Sequence, residues 1–155
     1  MKCKSPPPIL ERLQSALNDH DVTALADCLQ AGYVNTHPAH PERNTLGRET
    51  ACQRWAATFA CVPDLRAELL RFAQSGSTLW TEWVFSNDSA CGPVYRAGGV
   101  MIFGLQGDRI AWARTFTEAQ PFEGPDWDRI LDEALQAGCS ALDRRTDDLA
   151  AGSEG

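Results

Sequence analysis

The stretch from Thr78 to Glu118 constrains the fold of this 155-residue chain more than any other. Polar and apolar residues alternate in it with a period of two, as in β-strands, and turn residues divide it into three segments. The second segment, roughly 97 to 105, is almost entirely apolar, which is typical of a strand covered on both faces. Gly107 and Asp108 then predict a tight hairpin turn. The stretch therefore predicts a meander of three antiparallel strands.

The same alternation assigns side chains to the faces of these strands. It places Glu82 on one face of the first strand and Trp83 and Phe85 on the other. In the third strand it places five side chains on one face: Ile110, Trp112, Arg114, Phe116 and Glu118. Because Glu82 and Glu118 alternate with bulky apolar neighbours, we predict a curved sheet around a lined cavity. Trp83 and Phe85 would then be exposed on the outer face, so we predict a homodimer formed through that face.

Helical periodicity dominates the chain before this stretch and returns after it. Helices are predicted over 6–17, 22–30 and 48–61, a further strand over 65–74, and a fourth helix from Pro125 onward. Because helices and strands are segregated along the chain, the sequence predicts an α+β fold. We expect a cone-like, curved antiparallel or mixed sheet with the N-terminal helices packed over its concave face. A single domain would span 1–142, with a disordered acidic tail over 143–155.

Composition excludes several classes of function. A net charge of −7 argues against a protein that binds the phosphate backbone of nucleic acids. No basic amphipathic helix, export signal or membrane-length apolar run is apparent, so we expect a cytoplasmic protein without membrane attachment. The six cysteines form no CxxC motif, and we interpret them as reduced thiols that fill the core.

Three local motifs resemble the nuclear-transport-factor-2-like superfamily, especially its SnoaL-like branch near the polyketide cyclases, ketosteroid isomerases and limonene-epoxide hydrolases. The resemblance covers roughly Ile9 to Glu118. Leu46-Gly47-Arg48-Glu49 resembles the family's start of the third helix. Trp80-Thr81-Glu82-Trp83 resembles the strand that carries a carboxylate in the epoxide hydrolases. Gly107-Asp108-Arg109-Ile110 and the alternating arginine, aromatic and acidic residues after it resemble the closing hairpin.

The resemblance to the epoxide hydrolases implies that Glu82 and Glu118 are two carboxylates of a catalytic triad, one activating water and one protonating the epoxide oxygen. A carboxyl in an apolar pocket has a raised pKa. When two carboxyls lie close together, their pKa values are pushed apart, so that one serves as an acid and the other as a base. The family has an arginine where this chain has Trp80. The nearest substitute is Arg114, which we assign to orienting a carboxylate. Alternatively, either glutamate faces solvent or pairs with a neighbouring arginine.

The resemblance to the ketosteroid isomerases implies a second candidate. His37, followed by Pro38, lies where those enzymes carry the acid that shuttles a proton between carbons, and a histidine titrates in the right range for that work. No tyrosine in the first helix matches their oxyanion donor. Alternatively, His37 is an exposed loop residue fixed by prolines. Because His37, His40 and Glu42 share a proline-rich loop and not a helix turn, we predict no metal site and no cofactor.

The remaining candidates are residues expected to line the cavity. They are Tyr33, Trp55, Phe59, Trp80, Met101, Phe103, Trp112 and Phe116. With the resemblance, they predict a SnoaL-like protein that binds a small apolar molecule and carries out acid–base catalysis, such as isomerisation, cyclisation, hydration or hydrolysis. The alternative is a non-catalytic module of the same fold that binds a ligand or dimerises.

Overall fold

The computed structural model describes residues 5–88, 95–119 and the isolated position 136. Within them, the helices are α1 (Pro8–Asn18), α2 (Val22–Cys28) and α3 (Arg48–Cys61), with a 3₁₀ turn at Pro41–Arg43. The strands are β1 (Leu29–Thr36), β2 (Thr45–Leu46), β3 (Arg66–Ser75), β4 (Thr78–Ser86), β5 (Arg96–Gln106) and β6 (Arg109–Ala119). The predicted α+β fold is confirmed. The predicted fourth helix and the tail over 143–155 lie outside the described residues.

The strands form one curved mixed sheet in the order β2-β1-β6-β5-β4-β3. The meander and β3 pair antiparallel, as predicted, whereas β1 pairs parallel to β6. The sequence did not indicate β1 as a full strand, because its pairing with β6 shifts register between Leu29 and Val34. Such an irregularity interrupts the period of two from which a strand is recognised.

Helix α3 begins where the sequence predicted, after Gly47. This glycine has a φ of +90°, a conformation that other residues rarely adopt. Its N–H donates to the carbonyl of Tyr33 at 2.7 Å, and its carbonyl accepts from the N–H of Ala51 at 3.2 Å. Gly47 therefore fastens the start of α3 to β1, the strand that carries the polar part of the site described below.

The core lies between the helices and one face of the sheet, here called the inner face. Leu10 and Leu25 from the helices are fully buried in it together with Leu79, Trp83 and Phe103 from the strands. The indole N–H of Trp83 donates to the Thr81 hydroxyl at 2.7 Å, and that hydroxyl donates to the Met101 carbonyl at 2.6 Å. Trp83, the most deeply buried tryptophan of the described residues, thus has its one polar group satisfied.

The predicted faces of β4 and β6 are wrong, and a β-bulge explains the error in β6. Gly104 pairs with Trp112 but Leu105 pairs with Ile110, so Ala111 is an extra residue in β6. One extra residue moves everything beyond it to the opposite face. Ile110 is fully buried on the inner face, but Trp112 and the alternate residues after it point away from the core.

The outer face of the sheet carries the side chains that were expected inside. It comprises Trp80, Glu82, Val100, Trp112, Arg114, Phe116 and Glu118. Trp80 is 51% exposed and Phe116 41%, whereas Trp83 and Phe85, expected outside, are buried at 1% and 6% exposure. The prediction that Trp83 and Phe85 form a dimer surface is therefore wrong. A different apolar surface, which includes Trp80 and Phe116, is exposed on the outer face. Of the described helices, none is long and apolar enough to cross a bilayer.

Candidate functional site

A pocket of about 200 Å³ lies between the helices and the inner face of the sheet. Its apolar lining includes Leu13, Leu17, Leu25, Trp55, Phe85, Met101 and Phe103. The inner residues where β5 begins and β6 ends are small. Ala97 pairs with Ala119, and Gly99 pairs with Thr117, so few bulky side chains occupy this part of the sheet. That this pocket binds a ligand stays a prediction.

His37 lies at the polar end of the pocket, just beyond β1. Its Nε2 is 3.2 Å from the amide Nδ2 of Asn35, and the Asn35 carbonyl oxygen accepts from the Thr115 hydroxyl at 2.9 Å. Because an amide nitrogen only donates, Nε2 accepts in this orientation of the Asn35 amide; with the amide rotated, its oxygen would accept from Nε2–H and its nitrogen would donate to the Thr115 hydroxyl. The backbone N–H of His37 donates to the Asn44 side chain at 2.7 Å. These contacts hold His37 in place, and the orientation of the Asn35 amide sets which ring nitrogen carries the proton.

The surroundings of His37 keep it neutral. Its pKa is lowered from 6.5 to about 4, mainly by burial and then by the positive charges of Arg54 and Arg43 and by His40, while Glu42 opposes them. Arg43 and Arg54 both line the pocket. The polar end thus combines two guanidinium groups with an imidazole that is uncharged at neutral pH and can accept a proton.

Sequence analysis missed these two arginines. On α3, the residues that line the pocket are Ala51, Arg54, Trp55 and Thr58, which are spaced as one face of a helix. That spacing is the signal that would have identified Arg54. Arg43 lies in the three-residue 3₁₀ turn, which is too short for a periodic pattern to indicate where its side chain points.

Five of the predicted site residues meet at the pocket: Tyr33, His37, Trp55, Met101 and Phe103. Burial raises the pKa of the Tyr33 hydroxyl, which stays protonated. Phe59 lies behind the lining, with its ring 5.6 Å from Trp55 and stacked on His20 at 4.5 Å. His20 also contacts the carbonyl of Leu65 through Nε2 at 2.9 Å, so it is a structural histidine.

The prediction that Glu82 and Glu118 point into the cavity is wrong, because both lie on the outer face. Glu82 Oε2 is 3.4 Å from Arg71 Nε, and Glu118 Oε1 is 2.5 Å from His40 Nε2 with 56% of its side chain exposed. Trp80 and Phe116 lie on that face as well. Trp112 and Arg114 line a shallow groove there, together with Val34, Thr36, Pro38 and Pro41.

The described residues offer little for a metal or a reactive thiol. His40 Nδ1 is 3.5 Å from Glu42, but within 5–88 and 95–119 no three His, Cys, Asp or Glu side chains are grouped as ligands. Cys28 and Cys52 are buried free thiols, and burial raises the pKa of both. A raised pKa leaves little of the nucleophilic thiolate.

Comparison with known proteins decides the family. A family model described as the SnoaL-like domain matches residues 10–113, which include all the described helices and most of the sheet. The chain belongs to the SnoaL-like domain family. This SnoaL-like domain has no significant match among curated protein sequences.

Solved structures agree with this fold assignment. A hypothetical protein with a ketosteroid isomerase-like fold from Catenulispora acidiphila, in complex with trimethylamine, has a TM-score of 0.63 at 16% identity and covers 72% of this chain and 86% of its own. IdmH from Streptomyces antibioticus, provisionally assigned as a polyketide cyclase, has a TM-score of 0.61 at 20% identity, and the match covers 72% of this chain and 89% of IdmH. An NTF2-like protein from Anabaena variabilis has a TM-score of 0.60 at 16% identity, and the match covers 74% of this chain and 85% of that protein. At these identities the likeness shows the fold alone.

Proposed function

We propose that this SnoaL-like domain binds a small, mostly apolar molecule in the pocket and moves a proton on it, as in an isomerisation or cyclisation. The observation that carries the proposal is the position of His37, a neutral imidazole held at the polar end of an otherwise apolar pocket. The ketosteroid isomerase-like and cyclase-like neighbours support this class of chemistry by analogy of fold only.

His37 would act as the general base. Because Asn35 contacts Nε2, the base would be Nδ1, with the Asn35 amide oxygen accepting from Nε2–H. Nδ1 accepts a proton from an acidic C–H of the bound molecule, and the electrons of that bond move into an adjacent carbonyl to give an enolate. The proton then returns from Nδ1 to another carbon in an isomerisation. In a cyclisation, the enolate attacks a second carbonyl, and the alkoxide that forms takes the proton back from Nδ1. No oxidant, reductant or metal is needed for either balance.

The hydrogen-bonded chain behind His37 would support such a cycle by holding the ring in one orientation. In the present orientation of the Asn35 amide, Thr115 donates to Asn35 and Asn35 contacts Nε2. With the amide rotated, its oxygen would accept from Nε2–H and its nitrogen would donate to Thr115, and the threonine hydroxyl serves either way because it can donate and accept. Nε2–H then keeps this partner before and after Nδ1 gains its proton. Asn35 and Thr115 are therefore positioning residues in this proposal, and they do not contact the reacting carbon.

Hydrogen–deuterium exchange into a carbon acid tests the proposal without knowledge of the natural substrate. We expect the protein to accelerate exchange at the α-carbons of 2-tetralone in D₂O, followed by proton NMR. His37→Gln should lower this acceleration about 100-fold, the usual contribution of a general base. His40→Gln is the matched control, because His40 contacts Glu118 on the outer face.

Equal exchange by the wild type and His37→Gln would refute the role of His37. The alternative function, a non-catalytic binding module, is favoured by a different result: 2-tetralone binds, as seen by calorimetry, but exchanges no faster than in buffer. Each arm can be interpreted because binding and exchange are measured separately on the same protein.

We also propose that the domain forms a homodimer through the outer face. Val100 pairs directly with Phe116 across β5 and β6, and the Trp112 indole lies over Gly104, so apolar surface continues across the strands. A contiguous exposed apolar patch is typical of an interface. The cytoplasmic location and the absence of nucleic-acid and membrane partners stay predictions from the sequence.

A further inference from the structure

We infer that the ligand of the pocket carries an uncharged acceptor oxygen at the end away from His37, and that the Tyr33 hydroxyl donates a hydrogen bond to this oxygen. The inference rests on the proposed function, because it names the class of molecule that the same pocket receives. That class is an apolar molecule with two oxygens, one beside the reacting carbon and one remote from it. The resemblance implies an oxyanion donor in the first helix, whereas Tyr33 lies in β1.

Three polar side chains follow one another along the inner face of β1 and the residue after it. Tyr33, Asn35 and His37 occupy alternate positions and line the pocket. Between them, Val34 and Thr36 line the groove on the outer face. An extended chain rises about 3.3 Å per residue, so the Cα atoms of Tyr33 and His37 are roughly 13 Å apart. Tyr33 therefore occupies one end of this row and His37 the other.

The surroundings of the two ends differ. Before Tyr33, β1 pairs Leu29 with Ile110 of β6, and both are buried apolar residues that line the pocket. Burial, and then the Cys52 thiol, raise the pKa of the Tyr33 hydroxyl, which therefore stays protonated. The arginines that lower the pKa of His37 are not among the groups that influence Tyr33. Tyr33 thus presents a neutral donor in the apolar part of the pocket.

The Tyr33 hydroxyl itself faces the pocket. Within residues 5–88 and 95–119 it has no hydrogen-bond partner, although Tyr33 is only 6% exposed. Every fully enclosed side-chain nitrogen or oxygen in this part of the chain has a partner. The hydroxyl oxygen is therefore not fully enclosed, and the open space that Tyr33 lines is the pocket.

A protonated hydroxyl in this position favours a ligand that supplies an acceptor. Phenylalanine would fill the same space without leaving a buried donor unpaired, which costs free energy. A carbonyl or ether oxygen of the ligand removes this cost. A carboxylate at this end is disfavoured, because transfer of an anion from water to an apolar region costs far more than transfer of an uncharged oxygen. Tyr33 thus selects an oxygenated molecule over a hydrocarbon.

A symmetrical diketone tests the inference. trans-Decalin-2,6-dione has a carbonyl at each end, so that one lies near Tyr33 when the other meets His37. Tetralin has the same bicyclic carbon frame and no oxygen. We would measure the binding of both by isothermal titration calorimetry at pH 7 and take the ratio of their affinities, dione over tetralin. Tyr33→Phe should lower this ratio about threefold to tenfold, as expected for one hydrogen bond between uncharged groups.

Thr58→Val is the matched control. Thr58 also lines the pocket, but its hydroxyl already donates to the carbonyl of Arg54 at 2.9 Å, so the ratio should not change. Stability supplies a second readout. Because no described residue accepts from the Tyr33 hydroxyl, Tyr33→Phe should unfold at the same urea concentration as the wild type or a higher one. A clear loss of stability would show that the hydroxyl is already bonded within the protein and would overturn the inference.

The kinetics show at which end Tyr33 acts. With saturating dione, Tyr33→Phe should keep hydrogen–deuterium exchange within about twofold of the wild-type rate and raise KM, because a contact with a remote oxygen is the same before and during proton transfer. A donor on the reacting oxygen would instead contribute about 100-fold to the rate. A fall of that size would place Tyr33 at the reacting carbonyl and overturn its remote position.

A measurement on the native Tyr33 keeps the test valid if Tyr33→Phe does not fold. The chain has two tyrosines, so tyrosine labelled with carbon-13 at Cζ gives two resonances, which Tyr95→Phe assigns. The dione should shift the Tyr33 resonance downfield, because its phenol donates a hydrogen bond, and tetralin should not. Equal shifts with both molecules would overturn the inference.

The outcomes separate this inference from the proposed function. An unchanged ratio in Tyr33→Phe, or an equal fall in Thr58→Val, would overturn the role of Tyr33 and leave apolar binding and the role of His37 intact. A wild type that binds the dione without accelerating exchange would overturn the proton transfer and leave the binding result for Tyr33 standing. If neither the dione nor tetralin binds, both the inference and the proposed ligand pocket are overturned.

Discussion

His37 should make the stability of the protein depend on pH in a defined direction. Its pKa is about 4 in the folded protein and near 6.5 in the unfolded chain. Between these values the unfolded chain binds a proton that the folded protein excludes, so protonation favours unfolding. The contribution of His37 to stability is therefore fully present above pH 6.5 and is lost as the pH falls toward 4.

The magnitude follows from the same two values. The difference between 6.5 and about 4, at about 1.36 kcal/mol per pH unit, corresponds to at most about 3.4 kcal/mol. The imidazole is only half buried, so water screens part of the effect, and we expect a loss of about 1–2 kcal/mol. This is a measurable fraction of the ~5–15 kcal/mol by which domains are usually stable.

Urea unfolding at pH 7.0 and pH 4.0, followed by far-UV circular dichroism, measures this loss. The carboxylates of the chain also titrate in this range, so the informative quantity is the difference between the wild type and His37→Gln. The variant should lose about 1–2 kcal/mol less on acidification than the wild type. Thr23→Gln on the exposed surface of α2 is the control, because it changes no titratable group. If the wild type and His37→Gln lose the same free energy, His37 is not held neutral by its surroundings.

Two other predictions concern positioning and assembly. Thr115→Val removes the hydroxyl that contacts Asn35 and should slow exchange into 2-tetralone about threefold to tenfold. Thr115→Ser should restore the rate, and a rate equal to wild type in Thr115→Val would refute the role of the hydrogen-bonded chain behind His37. Phe116→Glu should convert the dimer to a monomer in sedimentation velocity, because it places a charge within the apolar outer face. Thr23→Glu on the exposed surface of α2 should leave the dimer intact, and a wild type that sediments as a monomer at all concentrations would contradict the homodimer.

The sequence predicted the elements of this fold better than their faces. The bounds of α3 and of the three meander strands follow from Gly47, from the turn at Gly107 and from the period of two. The faces could not be deduced, because both surfaces of β4 carry a tryptophan, Trp80 outside and Trp83 inside. In β6 nothing in the sequence marks Ala111 as an extra residue. An alternation counted from Ile110 therefore assigns Trp112 and the alternate residues after it to the inner face, which is wrong.

The candidate site shows the same limit for a different reason. His37 was identified through the resemblance to the ketosteroid isomerases, which rests on local features, its residue type and its position before Pro38. Arg43 and Arg54 acquire their role only when the 3₁₀ turn and α3 meet above the sheet. A contact between elements distant in sequence is fixed by tertiary packing, and local periodicity carries no information about it. The carboxylates, by contrast, were expected at the site because acidic residues in an apolar pattern suggest catalysis, although Glu82 contacts Arg71 and Glu118 contacts His40 on the outer face.

The alternation of β6 links the pocket to the outer face. Beyond the bulge, its inner residues are Ala113, Thr115, Thr117 and Ala119, and its outer residues are Trp112, Arg114, Phe116 and Glu118. A strand that only completed a core would direct its large side chains inward, because burial of aromatic surface stabilises a fold. Here the large side chains point outward and the small ones leave a space. Among the described residues, this arrangement forgoes core packing on one side and exposes apolar surface on the other, which supports the proposals of a ligand inside and a partner subunit outside.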